Sequence, residues 1–364
     1  MSEPTAGQWP RKLRFRHASV PERGGGVTSG GSVDPYQGLV RAGSLRRWFD
    51  DEGLGTGSDI SFERVAAGES NEVFIVRRGG STWALRRPSA VPLSVEGANA
   101  IMVREYRFQG ALDGSGVPHA KPLALCMDTE VTGAVFYVME FVDGLVLADP
   151  PSEEVGGRSA GRLVVEQMVD ALADLALVDV EAAGVSDLGR PDGFLERQVG
   201  RWRGQLDGYR RRDLPGIDLV GDWLEVNRPT VMQAGIMHGD FNRHNMLFTR
   251  QRPTRLAAVL DWENATVGDP LMDLGYLLSG WRPEDADLPS RAELVGRCSI
   301  RTGRTPEALG WYAVMSTFKL ACMLEGVRVR QVDDPTREVT PFLADAVLDL
   351  VSRASELIDE AGSW

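Results

Sequence analysis

The apolar residues of this chain change their spacing near Gly144, and that change limits the folds available to it. Between residues 60 and 142 they form short runs separated by Gly, Pro and Asp, a pattern typical of a small antiparallel sheet. Beyond Gly144 they recur at three- and four-residue steps, as in the stretch 164–178, which predicts amphipathic helices. We therefore expect an α+β fold of two lobes, in which a small antiparallel sheet and a hinge near residues 140–144 precede a larger, mainly helical lobe.

The same patterns place the individual elements along the chain. One helix is predicted from Val40 to Phe49, and a second interrupts the sheet-rich part near residues 98–112. Candidate strands are Ile60–Val65, Val73–Val76, Trp83–Arg86, Pro122–Cys126, Ala134–Phe141, Met246–Phe248 and Leu256–Leu260. Candidate helices of the second lobe are Val164–Val178, Gly193–Tyr209, Asp218–Val226, Pro270–Leu278, Pro306–Gly326 and Pro341–Ala361.

Length and composition indicate three segments. At 364 residues the chain exceeds the usual size of a single compact domain. Residues 1–33 combine a basic run with a Gly-rich stretch, so a flexible tail is expected there. Residues 34–142 are then expected to form the N-terminal lobe, and residues 143–364 the helical C-terminal lobe.

Charge and composition argue against several classes of function. The net charge of −12 disfavours nucleic acid as a partner, because binding to backbone phosphates needs a strongly basic face. No run of about 18 apolar residues could span a membrane, and the first residues lack a secretory signal, so a cytoplasmic protein is expected. Cys126, Cys298 and Cys322 lack the spacing of a zinc site or a disulfide framework, and we expect them to be reduced and mostly buried.

The segment from His238 to Asn245 carries the strongest chemical signal. Asn245 follows Asp240 by five positions, the spacing of the kinase catalytic loop, in which the Asp accepts a hydroxyl proton and the Asn holds a metal ion. Asp261 ends the second of the two strands that follow, where a kinase carries its second metal-binding carboxylate. Mg²⁺ prefers oxygen ligands and needs few carboxylates once phosphates supply the rest. We therefore predict Asp240 as the catalytic carboxylate and Asn245 and Asp261 as Mg²⁺ ligands.

These motifs, with the segment 268–274, closely resemble the aminoglycoside phosphotransferase and choline kinase superfamily. Within it, the chain looks most like phosphotransferase-family proteins related to the kinase domains fused ahead of acyl-CoA dehydrogenases. The resemblance extends from about Ile60 to the C-terminus and is strongest at residues 238–277. It implies a protein-kinase-like bilobal fold and an ATP-dependent small-molecule kinase that uses Mg²⁺. It further implies that His238 and Asp273 support the catalytic loop rather than contact the substrate.

The resemblance also assigns small-lobe residues to nucleotide binding. It makes the turn containing Gly68 and Ser70 the phosphate-covering loop, and Arg86 the basic residue that binds the nucleotide. That position is usually Lys, and Arg keeps the positive charge without the compact ammonium geometry. Glu105 matches the position that pairs with this basic residue, the alternative being an ordinary exposed helix carboxylate.

The stretch from Phe136 to Gly144 matches the strand and hinge of the family, so adenine is expected to bond to backbone groups near Glu140 and Val142. Only eight residues separate Asp261 from the helix predicted at Pro270, which leaves no space for the long phosphorylatable segment of a protein kinase. The acceptor is therefore expected to be a small molecule that carries a hydroxyl group.

The identity of that acceptor stays open. Aminoglycosides carry several positive charges, so an enzyme for them should line its substrate lobe with carboxylates. Residues 281–364 contain 14 Asp and Glu against 10 Lys and Arg, which is only mildly acidic. Arg328 and Arg330 follow a predicted helix end, where they could meet an anionic group of a hydroxylated acyl-CoA or similar metabolite, or could offset the helix dipole.

A pseudokinase, which binds a nucleotide without turnover, is a further alternative. Arg86 in place of the usual Lys favours it slightly. The presence of Asp240, Asn245 and Asp261 together favours an active enzyme more, because a binding module does not need all three.

Overall fold

The computed structural model describes residues 40–55, 59–65, 71–89, 94–147, 156–157, 160–281, 287–334 and 340–363. The predicted tail of residues 1–33, Gly68 and Ser70 lie outside these ranges. The elements of the first lobe are α1 (Ala42–Asp51), β1 (Ser61–Val65), β2 (Asn71–Arg78), β3 (Ser81–Pro88), α2 (Val95–Gly110), β4 (Pro122–Cys126) and β5 (Phe136–Glu140). Within the described ranges the five strands form one antiparallel sheet in the order β1-β2-β3-β5-β4.

The central strands carry apolar side chains on both of their sides, so the sheet has two apolar faces. Leu85 of β3 packs with Phe49 of α1 in one buried cluster, whereas its neighbour Ala84 packs with Met102 of α2 in another. Successive side chains of a strand point to opposite faces, so the two helices cover the two sides of one sheet. Of the two helices, α2 covers the face whose cluster also includes the hinge residue Val142.

Helices dominate the second lobe. They are α3 (Ala160–Ala176), α4 (Phe194–Tyr209), α5 (Ile217–Val226), α6 (Leu271–Ser279), α7 (Arg291–Thr302), α8 (Leu309–Asp333) and α9 (Leu343–Glu360). Between α5 and α6 lie four short strands, β6 (Gly235–Met237), β7 (Met246–Phe248), β8 (Leu256–Val259) and β9 (Thr266–Gly268). β6 pairs with β9 and β7 with β8, both antiparallel, so the segments connecting these strands are brought close together.

The two lobes meet at the end of β5 and at the small strands. Leu145, just after the hinge, exchanges two backbone hydrogen bonds of 2.9 Å with Phe248 of β7. Val259 of β8 donates to the backbone oxygen of Pro118 at 2.8 Å. The hinge therefore runs directly against the strands that carry the catalytic motif.

The helix pair α6 and α8 packs closely because Gly275 lacks a side chain. A Cβ atom at Gly275 would lie 2.6 Å from the backbone carbon of Tyr312 and 2.9 Å from the backbone nitrogen of Ala313. These are backbone atoms, which cannot rotate away, so the glycine sets the distance between the two helices.

The α+β fold predicted from the sequence, with its antiparallel sheet and helical second lobe, is confirmed. Two features were not predicted: α7, and the pair β6 and β9, whose three-residue strands are too short for alternation to be visible. Cys126, Cys298 and Cys322 are free and buried, as predicted. Among the described helices, none combines the length and the apolar character needed to cross a membrane.

Candidate active site

The loop between β6 and β7 is held from two sides. The backbone N–H groups of His238 and Gly239 donate to the Asp273 carboxylate of α6 at 2.6 and 2.9 Å. His238 Nε2 lies 2.8 Å from the carbonyl oxygen of Leu260, and the N–H of Asp240 donates to His238 Nδ1 at 3.3 Å. Because a carbonyl oxygen only accepts, this arrangement places the imidazole proton on Nε2. His238 and Asp273 thus contact the loop itself, as the resemblance implied.

Asp240 lies at the accessible side of this loop, and its carboxylate accepts from two amides. Asn242 Nδ2 donates to Oδ1 and Asn245 Nδ2 donates to Oδ2, both at 2.9 Å. The Tyr276 hydroxyl also faces the carboxylate: burial raises the pKa of Tyr276, and the negative charge of Asp240 raises it further. Asp240 remains partly exposed, so a ligand can reach an orientated carboxylate here.

An ion-pair cluster lies between the lobes, centred on Arg86 of β3. Arg86 Nε lies 2.7 Å from Glu105 Oε2, and Arg86 Nη2 lies 2.6 Å from Asp261 Oδ1. Glu105 is buried on α2 and accepts from the Tyr137 hydroxyl at 2.8 Å. Burial raises the pKa of Glu105, whereas the positive charge of Arg86 opposes that increase. Three predicted site residues from two lobes are therefore in direct contact.

Asp261 has an unusual backbone. Its φ of 66° and ψ of 63° fall in the left-handed region, which residues other than glycine seldom occupy. The backbone N–H of Leu260, just before it, donates to the backbone oxygen of Asn245 at 2.8 Å, so the two predicted metal ligands approach each other. Strained backbone of this kind is concentrated at functional sites.

Glu263 joins the cluster, although the sequence did not single it out. Its Oε2 accepts from Asn71 Nδ2 of β2 at 2.8 Å and lies 3.7 Å from Arg86 Nη2. One carboxylate oxygen from each of Glu105, Asp261 and Glu263 can be chosen so that all three lie within 4.8 Å of one another. The small lobe and the second lobe are thus linked by charged and amide groups at the mouth of the cleft.

The donor set of this cluster fits Mg²⁺. The Nδ2 atom of Asn245 is used by Asp240, while no described residue donates to its Oδ1 atom. That amide oxygen and the carboxylates of Asp261 and Glu263 are the hard oxygen ligands that Mg²⁺ prefers. The positive charge of Arg86 partly offsets the negative charge of these carboxylates, which is the charge that attracts a divalent cation.

The hinge residues border an apolar part of the cleft. Val142 packs against the cluster that contains Ala84 and Met139, and Val73 of β2 joins the same cluster. The backbone N–H of Glu140 donates to Lys121 O at 2.9 Å, so it is already used within the fold. An aromatic base bound in the cleft beside the hinge would contact these apolar side chains of the sheet.

Two residues near Asp240 escaped the sequence analysis. Tyr276 lies on α6, and Lys319 of α8 donates from Nζ to the carbonyl oxygen of Gly239 at 2.9 Å. Lys319 lies in the long, mainly apolar sequence of α8, where one lysine gives no sign of a functional role. One signal was available, because lysine occurs only at positions 12, 121 and 319 in a chain with 40 basic residues.

Arg328, which from the sequence could meet an anionic group of the acceptor, forms an ion pair within the fold. Its Nη2 lies 2.6 Å from Glu325 Oε1, and Glu325, which is fully buried, is also bonded by Arg212. This ion-pair cluster connects α8 to the segment that carries Arg212 and to Ala344 of α9, so Arg328 is used within the fold.

Solved structures share this architecture. A crystal structure from Ralstonia eutropha, described as a candidate aminoglycoside phosphotransferase, has a TM-score of 0.74 and 30% identity, covering 88% of this chain and 99% of that one. The GDP complex of aminoglycoside 2'-phosphotransferase-IIIa has a TM-score of 0.58 at 16% identity, covering 88% and 98%. A thermostable mutant of aminoglycoside phosphotransferase APH(4)-Ia, in a ternary complex with ADP and hygromycin B, has a TM-score of 0.56 at 16% identity, covering 86% and 97%.

Relatives in sequence come from larger proteins. Acyl-CoA dehydrogenase family member 11 of Gallus gallus is 32% identical over 322 residues, which is 82% of this chain and 40% of the relative. Acyl-CoA dehydrogenase family member 10 of Mus musculus is 29% identical over 305 residues, 78% of this chain and 28% of the relative. The chain thus spans less than half the length of these relatives. Residues 61–312 match the model of the phosphotransferase enzyme family, and the chain belongs to that family.

Proposed function

We propose that this chain is a Mg²⁺- and ATP-dependent kinase that phosphorylates a hydroxyl group of a small molecule. The observation that carries the proposal is the position of Asp240, a partly exposed carboxylate held by two amides beside the Arg86, Glu105 and Asp261 cluster. A base orientated beside a phosphate- and metal-binding cluster is the arrangement that phosphoryl transfer needs, because its catalysis is mainly positioning and charge stabilisation.

Each residue has a distinct role in this proposal. Asp240 accepts the hydroxyl proton as the oxygen of the acceptor forms its bond to the γ-phosphorus and the bond to the β-phosphate oxygen breaks, releasing ADP. Arg86, fixed by Glu105, binds the phosphates, and the loop with Gly68 and Ser70 covers them. Glu140 and Val142 face the adenine. Asn245 and Asp261 would hold Mg²⁺, which would supply positive charge to the phosphate oxygens.

A hydroxylated acyl-CoA or a similar metabolite is proposed as acceptor ahead of an aminoglycoside. Lys319 bonds to the residue before Asp240, so a positive charge lies beside the proposed base, together with the carboxylates of Asp240 and Asp273. A positive charge at this point suits an acceptor with an anionic group better than a polycationic aminoglycoside. The relatives named as acyl-CoA dehydrogenase family members are consistent with an acyl substrate.

One observation favours the pseudokinase alternative. Arg86 Nη2 lies 2.6 Å from Asp261 Oδ1, so a basic side chain contacts the proposed metal ligand directly. Arg86 therefore competes with a Mg²⁺ ion for the Asp261 carboxylate. If the ion does not bind there, the chain binds nucleotide without turnover.

A phosphoryl-transfer screen separates the two. The chain is incubated with Mg²⁺-ATP and hydroxyl compounds from three classes, aminoglycosides, hydroxy acids and hydroxyacyl-CoA thioesters, and mass spectrometry detects the gain of one phosphate. We expect a product from an acyl compound that disappears in Asp240→Asn and persists in the matched control Asp349→Asn, an exposed residue on α9. ATP binding without a product from any class would support the pseudokinase instead.

A further inference from the structure

We infer that Lys319, Arg201 and the indole N–H of Trp202 form a subsite that binds an oxyanion of the acceptor molecule. The inference rests on the kinase function proposed above and adds the chemistry by which the acceptor is recognised. Arg201 and Trp202 lie on α4, and Lys319 lies on α8, which packs against α4.

Lys319 brings a positive charge next to the proposed base. Its Nζ donates to the carbonyl oxygen of Gly239 at 2.9 Å, and Gly239 immediately precedes Asp240. Successive Cα atoms are about 3.8 Å apart, so the ammonium group lies within a side-chain length of the position where the hydroxyl would be orientated. An ammonium group has three N–H donors, and the described residues accept one of them, which leaves donors for a ligand.

Trp202 contributes a hydrogen-bond donor that the fold does not use. The residue is only 7% exposed, and its Nε1 atom has no acceptor among the described residues. Buried indole N–H groups usually have a partner, as Trp262 and Trp311 have here. An acceptor oxygen of a ligand would supply the missing partner.

Two cations border the same indole ring. Lys319 Nζ lies 5.8 Å from the ring centroid, and Arg201 Cζ lies 5.2 Å from the ring centroid. Arg201 is exposed and forms no ion pair with any described residue. Burial is the largest factor that lowers the pKa of Lys319, and the charge of Arg201 lowers it further. An anion bound beside both cations would relieve their repulsion, and one of its oxygens at the edge of the ring would accept from the Trp202 indole N–H.

A purely structural role would explain only part of this arrangement. Lys319 also lies near Asp273 and Asp240, whose negative charges raise its pKa, so it could serve as their counter-ion. That role accounts neither for the unused N–H of Trp202 nor for Arg201, which faces solvent. The three groups together point to a ligand.

The geometry limits the class of acceptor. The oxyanion lies within a few bonds of the hydroxyl group, because Lys319 contacts the residue before Asp240. A carboxylate of a free hydroxy acid provides this chemistry, whereas the phosphates of a coenzyme A thioester lie many bonds away from the acyl chain. Polycationic acceptors do not provide it.

Binding measurements test the subsite independently of turnover. Saturation-transfer NMR at constant ionic strength compares 3-hydroxybutyrate, its neutral methyl ester and its coenzyme A thioester on the full chain. The variants are Lys319→Met and Arg201→Gln, with Lys121→Met and Arg211→Gln as matched controls at exposed positions. Melting temperature and ATP affinity are measured for all of them, and Arg201→Gln tests the subsite even if Lys319→Met folds poorly.

We expect an anionic probe to bind wild type and both controls more tightly than the ester, and both subsite variants to bind it about tenfold more weakly or worse. Tighter binding of the free acid than of the ester and the thioester identifies a carboxylate beside the hydroxyl, whereas tighter binding of the thioester than of the free acid would overturn the subsite. Binding of the ester as tight as that of both anions, or unchanged affinity in a folded Arg201→Gln variant, would overturn the subsite. Loss of anion binding in the variants without phosphoryl transfer in wild type would retain the subsite and remove the kinase function.

Discussion

Asp240 and Asp261 are both carboxylates at the ends of short buried strands, yet their neighbours differ. Asp240 accepts from the neutral amides of Asn242 and Asn245, whereas Asp261 contacts the permanent charge of Arg86. Neutral donors orientate a carboxylate without removing its capacity to accept a proton. A guanidinium group instead offsets its charge. The two positions are therefore suited to different tasks, and separate substitutions should affect separate steps.

Asp240→Asn should reduce turnover by about 10²–10⁴-fold while changing ATP affinity little, because it removes the proton acceptor and keeps the side-chain shape. Single-turnover transfer at saturating ATP, with an acceptor identified in the screen, measures the chemical step. A variant that retains more than about a tenth of the wild-type rate would remove Asp240 from the role of base.

Asp261→Asn should abolish the increase in ATP affinity that Mg²⁺ produces. Asn tolerates the left-handed backbone of this position, with its φ of 66°, better than Ala does, so the fold is preserved while the charged ligand is lost. Calorimetric titration with ATP, with and without Mg²⁺, measures the effect, and Asp349→Asn is the control. A normal response to Mg²⁺ in the variant would mean that another residue holds the metal.

The sequence reveals site residues that lie close together along the chain. It does not reveal residues that only the packing of distant elements brings to the site. Asp240 and Asn245 share one loop, so their five-residue spacing was visible. Lys319 reaches the same loop from a helix some 80 positions later, and no periodicity within α8 predicts that contact. Whether the assigned residues perform their proposed roles stays a prediction.

At the scale of elements, the packing of α6 on α8 positions the loop between β6 and β7. α6 carries Asp273, which holds the loop backbone, and α8 carries Lys319, which bonds to Gly239. Gly275 permits the close approach of the two helices. A change in that approach would move both supports of the loop together.

Gly275→Ala should therefore destabilise the fold by about 1–3 kcal/mol, the usual cost of overpacking a tight interface. The added Cβ would lie 2.6 Å from a backbone carbon of Tyr312. Gly204→Ala is the matched control, since a Cβ there meets nothing within 4 Å, and the better helix former should stabilise α4 by about 0.4–1 kcal/mol. Denaturant unfolding measures both, and equal effects of the two substitutions would contradict the packing argument.

Element boundaries were predictable where a local signal marks them. The predicted helix Gly193–Tyr209 differs from α4 by one residue at its start. α7 begins with a capping box formed by Ser290 and Glu293, a start signal that is visible in the sequence. α8 continues seven residues beyond its predicted end at Gly326, because Gly326 packs against Tyr209 and does not stop the helix.

At the scale of the whole molecule, polar contacts connect the lobes across the cleft. Besides the Arg86 ion pair, Arg104 of α2 donates from Nε to the backbone oxygen of Ala265 at 2.9 Å, and Asn71 donates to Glu263. Apolar packing joins the lobes as well, because the buried cluster of the second lobe includes three residues of the first lobe, Phe108, Leu112 and Val117. The lobes are therefore held together by both polar and apolar contacts.

Asn71→Ala should raise the KM for ATP by about three- to tenfold, the equivalent of one typical hydrogen bond of about 0.7–1.4 kcal/mol, with little change in melting temperature. Asn71 Nδ2 lies 2.8 Å from Glu263 Oε2, across the cleft. In the control Asn227→Ala, the lost bond to Trp223 O lies within one helix end. Steady-state kinetics and thermal melting distinguish them, and an equal KM in both variants would show that the cleft contact does not assist nucleotide binding.

At Asp261 the left-handed backbone lowers the stability of the fold, while the side chain is the proposed metal ligand. A glycine would adopt the φ of 66° without the backbone strain of the aspartate, which is of order 1 kcal/mol or more. It would lose only a partly exposed ion pair. A laboratory selection for heat resistance alone would thus tolerate glycine at this position and discard the proposed metal ligand. Selection that also requires phosphoryl transfer should keep the aspartate, so glycine at residue 261 should appear only in lineages obtained under heat selection alone.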